Sequence, residues 1–291
     1  MTRAFLAACV LLIVGFAGPA MALAPLTVFV SIAPQKYFVE KIGGDRVDVS
    51  VLVEPGGNPH TYEPKPRQMA ALSKTKIFFA IGVTFEEAWL DRIAALNKAM
   101  RIVHTETGIE RREMATHPHA EAGSDHDHAS GDPHVWLSPP LVMLQARNIL
   151  QALTEADPAG RNHYERNYKA FIEEIVDLDA ELRAIFAESG GSRTFMVFHP
   201  SWGYFAEAYG LKQVAVETEG KEPKPRELKD LVEFARERDI RVIFVQPQFS
   251  RKGAEVIARE IGAQVAVADS LAEDWARNLR AVAGQFKKAL K

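Results

Sequence analysis

Hydrophobic and polar positions along the chain fall into two stretches of alternating strand and helix, separated by one long helical repeat. In the first stretch Leu26 to Ile32 is a short run rich in β-branched residues, and Val47 to Val53 alternates apolar and polar. Ile77 to Ile81 and Arg101 to His104 are further short runs, and together the four predict strands. Helix signals lie between them. Pro34 suits a first turn and Gly43-Gly44 a stop, Gln68 to Ser73 is a short candidate, and Phe85 to Met100 is amphipathic. Such alternation predicts a largely parallel sheet covered by helices.

A helix over Pro139 to Glu155 leads into the most regular segment. Tyr164, Tyr168, Phe171, Ile175, Leu178, Leu182 and Ile185 recur at steps of 4 and 3, one face of a helix that Pro158 opens and Gly190-Gly191 closes. About 30 residues span about 45 Å, enough to run along two domains, although a long surface helix of one domain is the alternative. Strands then resume at Thr194 to Phe198, Gln213 to Val216, Val242 to Val245 and Gln264 to Ala268. Helix candidates cover Lys224 to Arg238, Lys252 to Ile261 and Leu271 to Leu290. The two halves share this rhythm without a visible sequence repeat.

Composition narrows the picture. The N-terminus carries Arg3, an apolar run from Ala4 to Ala17 and small residues at A-x-A spacing in Ala20-Met21-Ala22-Leu23-Ala24, the pattern of a cleavable signal peptide over residues 1–24. A membrane anchor is the alternative, but the run is shorter than the ~20 residues a span needs. The single cysteine, Cys9, lies there, in a Leu6-Ala7-Ala8-Cys9 stretch that resembles a lipid-acylation box placed too early in the run. Without that segment no thiolate remains, so a borderline metal is left to histidine and carboxylate. The remaining ~265 residues suit two compact domains. Loss of Arg3 leaves 34 basic against 38 acidic residues, which argues against a nucleic-acid partner.

Four residues stand where open parallel sheets bind ligands, or close to it. His60 lies in the loop after the strand ending at Val53, His199 ends the strand from Thr194, and Asp269 follows the strand ending at Ala268. His134 closes a polar stretch, Arg111 to His134, that also holds His117, His119, His126 and His128. Pro59, Pro133 and Pro200 adjoin the three isolated histidines and restrict their backbone. Imidazole suits zinc, yet none of these histidines forms a short metal motif, and a lone loop histidine is more often a surface residue than a ligand.

Four stretches carry a resemblance: Ile42-Gly43-Gly44-Asp45-Arg46-Val47, Pro55 to Pro64 (PGGNPHTYEP), Asp132-Pro133-His134-Val135-Trp136-Leu137 and Phe198 to Phe205 (FHPSWGYF). Pro247-Gln248-Phe249 fits as well. The chain resembles the substrate-binding proteins of metal-uptake ABC transporters, the zinc and manganese group. The resemblance implies an α/β fold of two lobes, each a mainly parallel sheet flanked by helices, joined by one long helix with metal in the cleft. Its lobes would be residues 25–156, with a His-rich loop over 115–134, and residues 190–291, joined by the helix over 157–189. It implies His60, His134 and His199 as ligands. Manganese-preferring relatives carry a carboxylate at the position of His199, so the nitrogen donor here points to Zn²⁺. The last ligand position of the family matches Asp269, which some zinc-specific members replace by water. Gln246 stands where relatives commonly carry glutamate.

The expected function is periplasmic capture of zinc and its delivery to a membrane permease with a cytoplasmic ATPase, by a monomer that catalyses nothing; a periplasmic zinc chaperone is a further expected partner. A manganese-binding protein of the same family is the nearest alternative. A zinc hydrolase lacks an evident general base here. A binding protein for an organic ligand leaves the histidines unexplained, and a surface adhesin lacks an anchor. Trp136 and Trp202 are expected either to wall the cleft or to pack in the lobes, and His104 and His163 to be structural. His117, His119, His126 and His128 are expected to gather zinc weakly, or to form part of a solvated spacer, because ordering a polar loop costs entropy. Deletion of residues 115–130 is therefore expected to leave the tight phase of a calorimetric zinc titration in place; its disappearance would refute the weak role.

Overall fold

The computed structural model describes residues 24–114, 131–187, 192–217 and 223–290. The expected signal peptide, apart from Ala24, and the loop histidines His117, His119, His126 and His128 lie outside the described residues.

Strands β1 (Leu26–Ile32), β2 (Val47–Val53), β3 (Ile77–Ala80) and β4 (Arg101–His104) form a parallel sheet in the order β2-β1-β3-β4. Strands β5 (Thr194–Val197), β6 (Lys212–Ala215), β7 (Val242–Val245) and β8 (Gln264–Val267) form a second, in the order β6-β5-β7-β8. The halves thus repeat one strand order that their sequences do not display. In both, the chain steps to one side of the first strand and then to the other, which opens a crevice at the carboxyl ends.

The helices are α1 (Ala33–Gly43), α2 (Pro66–Leu72), α3 (Thr84–Leu96), α4 (Pro139–Ala156), α5 (Arg161–Ala187), α6 (Gly203–Ala208), α7 (Pro225–Glu237), α8 (Arg251–Ile261) and α9 (Trp275–Ala289). Two boundaries differ from the sequence reading for local reasons. Helix α3 ends before Asn97, whose side chain donates to Thr75 O at 2.9 Å and accepts the Ala99 N–H at 3.0 Å, drawing the backbone out of the helix. Helix α9 starts at Trp275 because the Asp274 carboxylate caps it, accepting the Arg277 N–H. Helix α6 went unread, being six residues long, too short for a 3.6-residue period to show.

Helix α5 runs 27 residues, about 40 Å, and buries Tyr164, Phe171, Ile175, Leu178, Leu182 and Phe186. It packs on α1 and α4 and on α9. Polar ties flank the seam: Tyr37 and Lys41 of α1 bond Glu174, Tyr209 donates to Asp179 at 3.0 Å, and Arg280 of α9 pairs with Glu181 at 2.5 Å. Helix α9 is a second bridge that the sequence reading did not expect. Its Trp275 ring meets Phe38 of α1 edge-on at 5.2 Å, while Phe286 stacks on Phe195 of β5 at 4.3 Å. One apolar core therefore continues from the first sheet through α5 and α9 to the near face of the second. A separate cluster, with Met196, Phe198, Leu231, Phe234 and Ile257, fills the far face under α7 and α8. Alternation along β5 sorts Phe195 and Val197 to one core and Met196 and Phe198 to the other. Among the described residues no helix is long and apolar enough to cross a membrane.

Leu178 is wholly buried at the centre of this seam, whereas Val176 on the same helix is 48% exposed. In urea denaturation Leu178→Ala is expected to cost about 2–5 kcal/mol, and Val176→Ala no more than about 0.5 kcal/mol.

Candidate metal centre

Three loops deliver three imidazoles to one point between the sheets. The loop after β2 turns at Gly57, whose N–H donates to Glu54 O, and Asn58 Oδ1 then accepts the His60 N–H at 2.9 Å. This side-chain turn, followed by Pro59, fixes the His60 backbone. His134 is held the same way, its N–H donating to Asp132 Oδ1 at 3.0 Å across Pro133. His199 leaves β5 directly, and Gln246 grips its backbone: Nε2 donates to His199 O at 2.7 Å and to Ser201 Oγ at 2.8 Å, and Oε1 accepts the His199 N–H. The amide can do both; a glutamate carboxylate at this position could only accept.

Each ring is then oriented through Nδ1. His134 Nδ1–H donates to Asp132 Oδ1 at 2.7 Å, and His199 Nδ1–H donates to Glu217 Oε1 at 2.5 Å. His60 Nδ1 is hydrogen-bonded to the Thr84 hydroxyl at 3.0 Å. The two carboxylates fix the tautomer of His134 and His199 and leave their Nε2 lone pairs free; the hydroxyl, which can accept or donate, orients the His60 ring. Asp132, Glu217, His134 and His199 are buried and His60 is half-buried. The Nε2 atom of His199 lies 3.2 Å from that of His60 and 3.3 Å from that of His134, and the three residues offer ligand atoms all within 4.8 Å of one another. Burial, reinforced by the other two rings, pushes His60 down to about 3. Burial also pushes His199 down, against the opposing pull of the Glu217 hydrogen bond. The His60 and His199 rings are thus held neutral, the form that binds metal.

The walls are apolar. Phe249 stacks on His199 at 4.5 Å and 18°, and Trp136 leans on His134 at 5.1 Å. A cavity of about 20 Å³ beside the rings also touches Thr84, Gln248 and Leu271, room for about one water. Trp136 Nε1 donates to Ser270 O and Trp275 Nε1 to Trp136 O, both at 2.7 Å. Of the two tryptophans weighed in the sequence, Trp136 walls the site and Trp202 packs on Phe205 and Phe286. His104 pairs with Glu106 on the surface, and His163 bonds Gly43 O. Asp269 stands apart from the three rings; its Oδ1 accepts the Leu271 N–H at 2.9 Å and Gln248 Nε2 at 3.3 Å.

Sequence reasoning passed over the ring partners. Asp132 precedes His134 by one Asx turn, and Glu217 lies just past the end of β6, an acidic residue at a strand terminus; both signals were present. Thr84 had none, because its place depends on the turn before α3. There Gly82 takes φ +74°, and buried Glu86 accepts the Ile81 and Gly82 N–H groups and the Ser31 hydroxyl. Burial pushes Glu86 up to about 7.

Known proteins share this fold. The family model for the zinc-uptake complex component A, periplasmic (ZnuA), matches residues 28–289. The high-affinity zinc uptake system protein ZnuA of Bacillus subtilis (strain 168) is 31% identical over 255 residues, 84% of this chain and 78% of that one. A crystal structure of ZnuA superposes with a TM-score of 0.85 at 45% identity, covering 92% of this chain and all of that one. A zinc-bound ZnuA deletion mutant lacking 138–173 in its own numbering matches with the same TM-score and identity, covering 92% of this chain and 98% of that one. With the match running through both sheets and all three histidine loops, the chain belongs to the ZnuA family, the periplasmic component A of zinc-uptake complexes.

Proposed function

We propose that His60, His134 and His199 hold Zn²⁺ through Nε2 and that this cleft captures zinc for an ABC-type importer. One observation carries the assignment. A tetrahedral zinc with Zn–N bonds of about 2.05 Å requires nitrogens about 3.3 Å apart, and the Nε2 atoms are 3.2 and 3.3 Å apart along two edges. The cavity beside the rings has room for a solvent molecule as fourth ligand, and Asp269 serves instead to hold the β8 loop through Leu271 and Gln248. The all-nitrogen donor set favours zinc over manganese, which prefers oxygen. Asp132 and Glu217 raise the basicity of their rings and offset the charge of the ion.

Capture makes and breaks only coordination bonds. The loaded protein hands zinc to a membrane permease driven by a cytoplasmic ATPase. The reading includes cleavage of residues 1–24 on export to the periplasm, a monomeric protein, lobes over 25–156 and 190–291 joined over 157–189, and weak zinc contact by the loop histidines. A periplasmic zinc chaperone remains a proposed partner. The zinc-bound deletion mutant among the related structures shows that a shortened relative still binds the ion.

Calorimetric titration of the metal-free mature protein tests the ligand set. His60→Ala, His134→Ala and His199→Ala are each expected to abolish the tight zinc phase, and Glu217→Gln to weaken it about 10-fold or more. Mn²⁺ is expected to bind far more weakly; a preference for Mn²⁺, or three silent alanine variants, would overturn the assignment.

Acid supplies a second test. Burial holds His60 and His199 below the ordinary value of 6.5, His60 at about 3. Between these values a proton binds only a ring that has left the cluster, so the assembled site is favoured above about pH 6.5 and loses ground as pH falls. Chelator-competition titrations are expected to show constant affinity above pH 7 and, below 6.5, a loss of up to about tenfold per pH unit for each released ring. Affinity unchanged down through pH 3, where His60 takes a proton even in the assembled cluster, would contradict histidine ligation.

A further inference from the structure

Tyr204 opens α6 on the same chain segment as His199, and its hydroxyl reaches the loop that carries His134. The hydroxyl donates to Asp132 O at 2.9 Å and accepts the Arg112 N–H at 3.0 Å. Arg112 O in turn accepts the Asp132 N–H at 2.8 Å. The guanidinium of Arg112 lies over the Tyr204 ring and donates to Gly203 O at 2.5 Å and to Glu207 at 3.1 Å. Tyr204 and Asp132 are both buried.

Asp132 is therefore gripped at its backbone N–H, at its backbone oxygen and at Oδ1, which takes both the N–H and the Nδ1–H of His134. Its Oδ2 has no hydrogen-bond partner among the described residues and faces Gly203, where a Cβ would come within 3.0 Å. The carboxylate that orients His134 is thus pressed against the first turn of the helix that follows His199.

We infer that Tyr204 is a positioning residue for the metal centre: it locks Asp132, and through it the His134 ring, to the segment that carries His199. The inference rests on the three-histidine reading above. Beside the Arg112 contacts to Gly203 O and Glu207, this hydroxyl is a direct tie between the segments that carry two ligands from different halves of the chain. The hydroxyl fixes their separation before zinc arrives, and metal sites hold ligand distances to within about 0.2 Å. Loss of the hydroxyl removes the partner of the buried Asp132 carbonyl and of the part-buried Arg112 N–H. The Asp132 backbone then relaxes and His134 Nε2 drifts from the point where the other two Nε2 atoms meet.

The test compares Tyr204→Phe with Tyr209→Phe, which removes another buried tyrosine hydroxyl, bonded to Asp179 on α5 and remote from Asp132. Zinc affinity, melting temperature and the visible spectrum of the Co²⁺-loaded protein are measured for both, beside the unaltered protein and His134→Ala. Tyr204→Phe is expected to weaken zinc about five- to tenfold, chiefly through faster dissociation, and to shift the Co²⁺ bands that report ligand geometry. Tyr209→Phe is expected to lower the melting temperature while keeping affinity within about twofold and the spectrum unchanged. Affinity and spectrum unchanged in Tyr204→Phe, or the same changes in Tyr209→Phe, would overturn the inference. If Tyr204→Phe does not fold, Tyr204→His decides, since its ring keeps a polar group in the pocket without making both hydroxyl bonds; weakened zinc binding with shifted Co²⁺ bands supports the role and unchanged binding overturns it. Absence of His134-dependent zinc binding in the unaltered protein would instead remove the site reading, and this inference with it.

Discussion

An imidazole presents one nitrogen to a metal only if its other N–H has somewhere to go. In a buried site that means an acceptor inside the protein, because an unpaired buried donor costs more than its hydrogen bond would return. Asp132, Glu217 and Thr84 meet this requirement for His134, His199 and His60. Much else in the molecule serves their placement. Glu217 is fixed by the end of β6, where its N–H donates to Phe198 O. Asp132 is fixed by its turn and by Arg112, and Thr84 by the Gly82 turn that Glu86 holds closed. Two buried carboxylates would be a liability without partners; here each is bonded to a ring that needs it.

Most of the fold was legible because strands buried on both faces spell near-continuous apolar runs and α5 repeats its apolar face over many turns. The eight strand boundaries fall within one residue of those read from the pattern. What escaped was short or non-local. Helix α6 is too brief to show a period. The bridging role of α9 rests on Trp275 reaching Phe38, a contact between distant parts of the chain. The site divides in the same way. Prolines and strand ends marked His60, His134 and His199 as candidates, and the resemblance joined them into a set. Asp269 occupied the right strand end, and its Oδ1 accepts the Leu271 N–H of its own loop. The ring partners stayed hidden because a hydrogen bond between Glu217 and His199 depends on two strands lying side by side, which no local pattern encodes.

The continuous core bears on how zinc enters. Where two lobes meet through a small polar contact, hinge motion is the default. Here α5 and α9 both cross the junction, and a wide opening would expose Phe38, Trp275 and their neighbours. The cheaper motion lies in the ligand loops, of which the His60 loop is the most exposed and the only one backed by a neutral hydroxyl. That asymmetry makes His60 the natural first point of release.

A chain with a single cysteine cannot form an internal disulfide. Extracellular proteins commonly draw on such bonds to restrain the unfolded chain. The three histidines are far apart in sequence and come from both halves, so in the proposed ligand set a shared ion closes two long loops at once. Zinc is in this sense a removable staple, worth about 4 kcal/mol of folding stability at a thousandfold excess over Kd. With that ligand set, cargo and cross-link are the same atom.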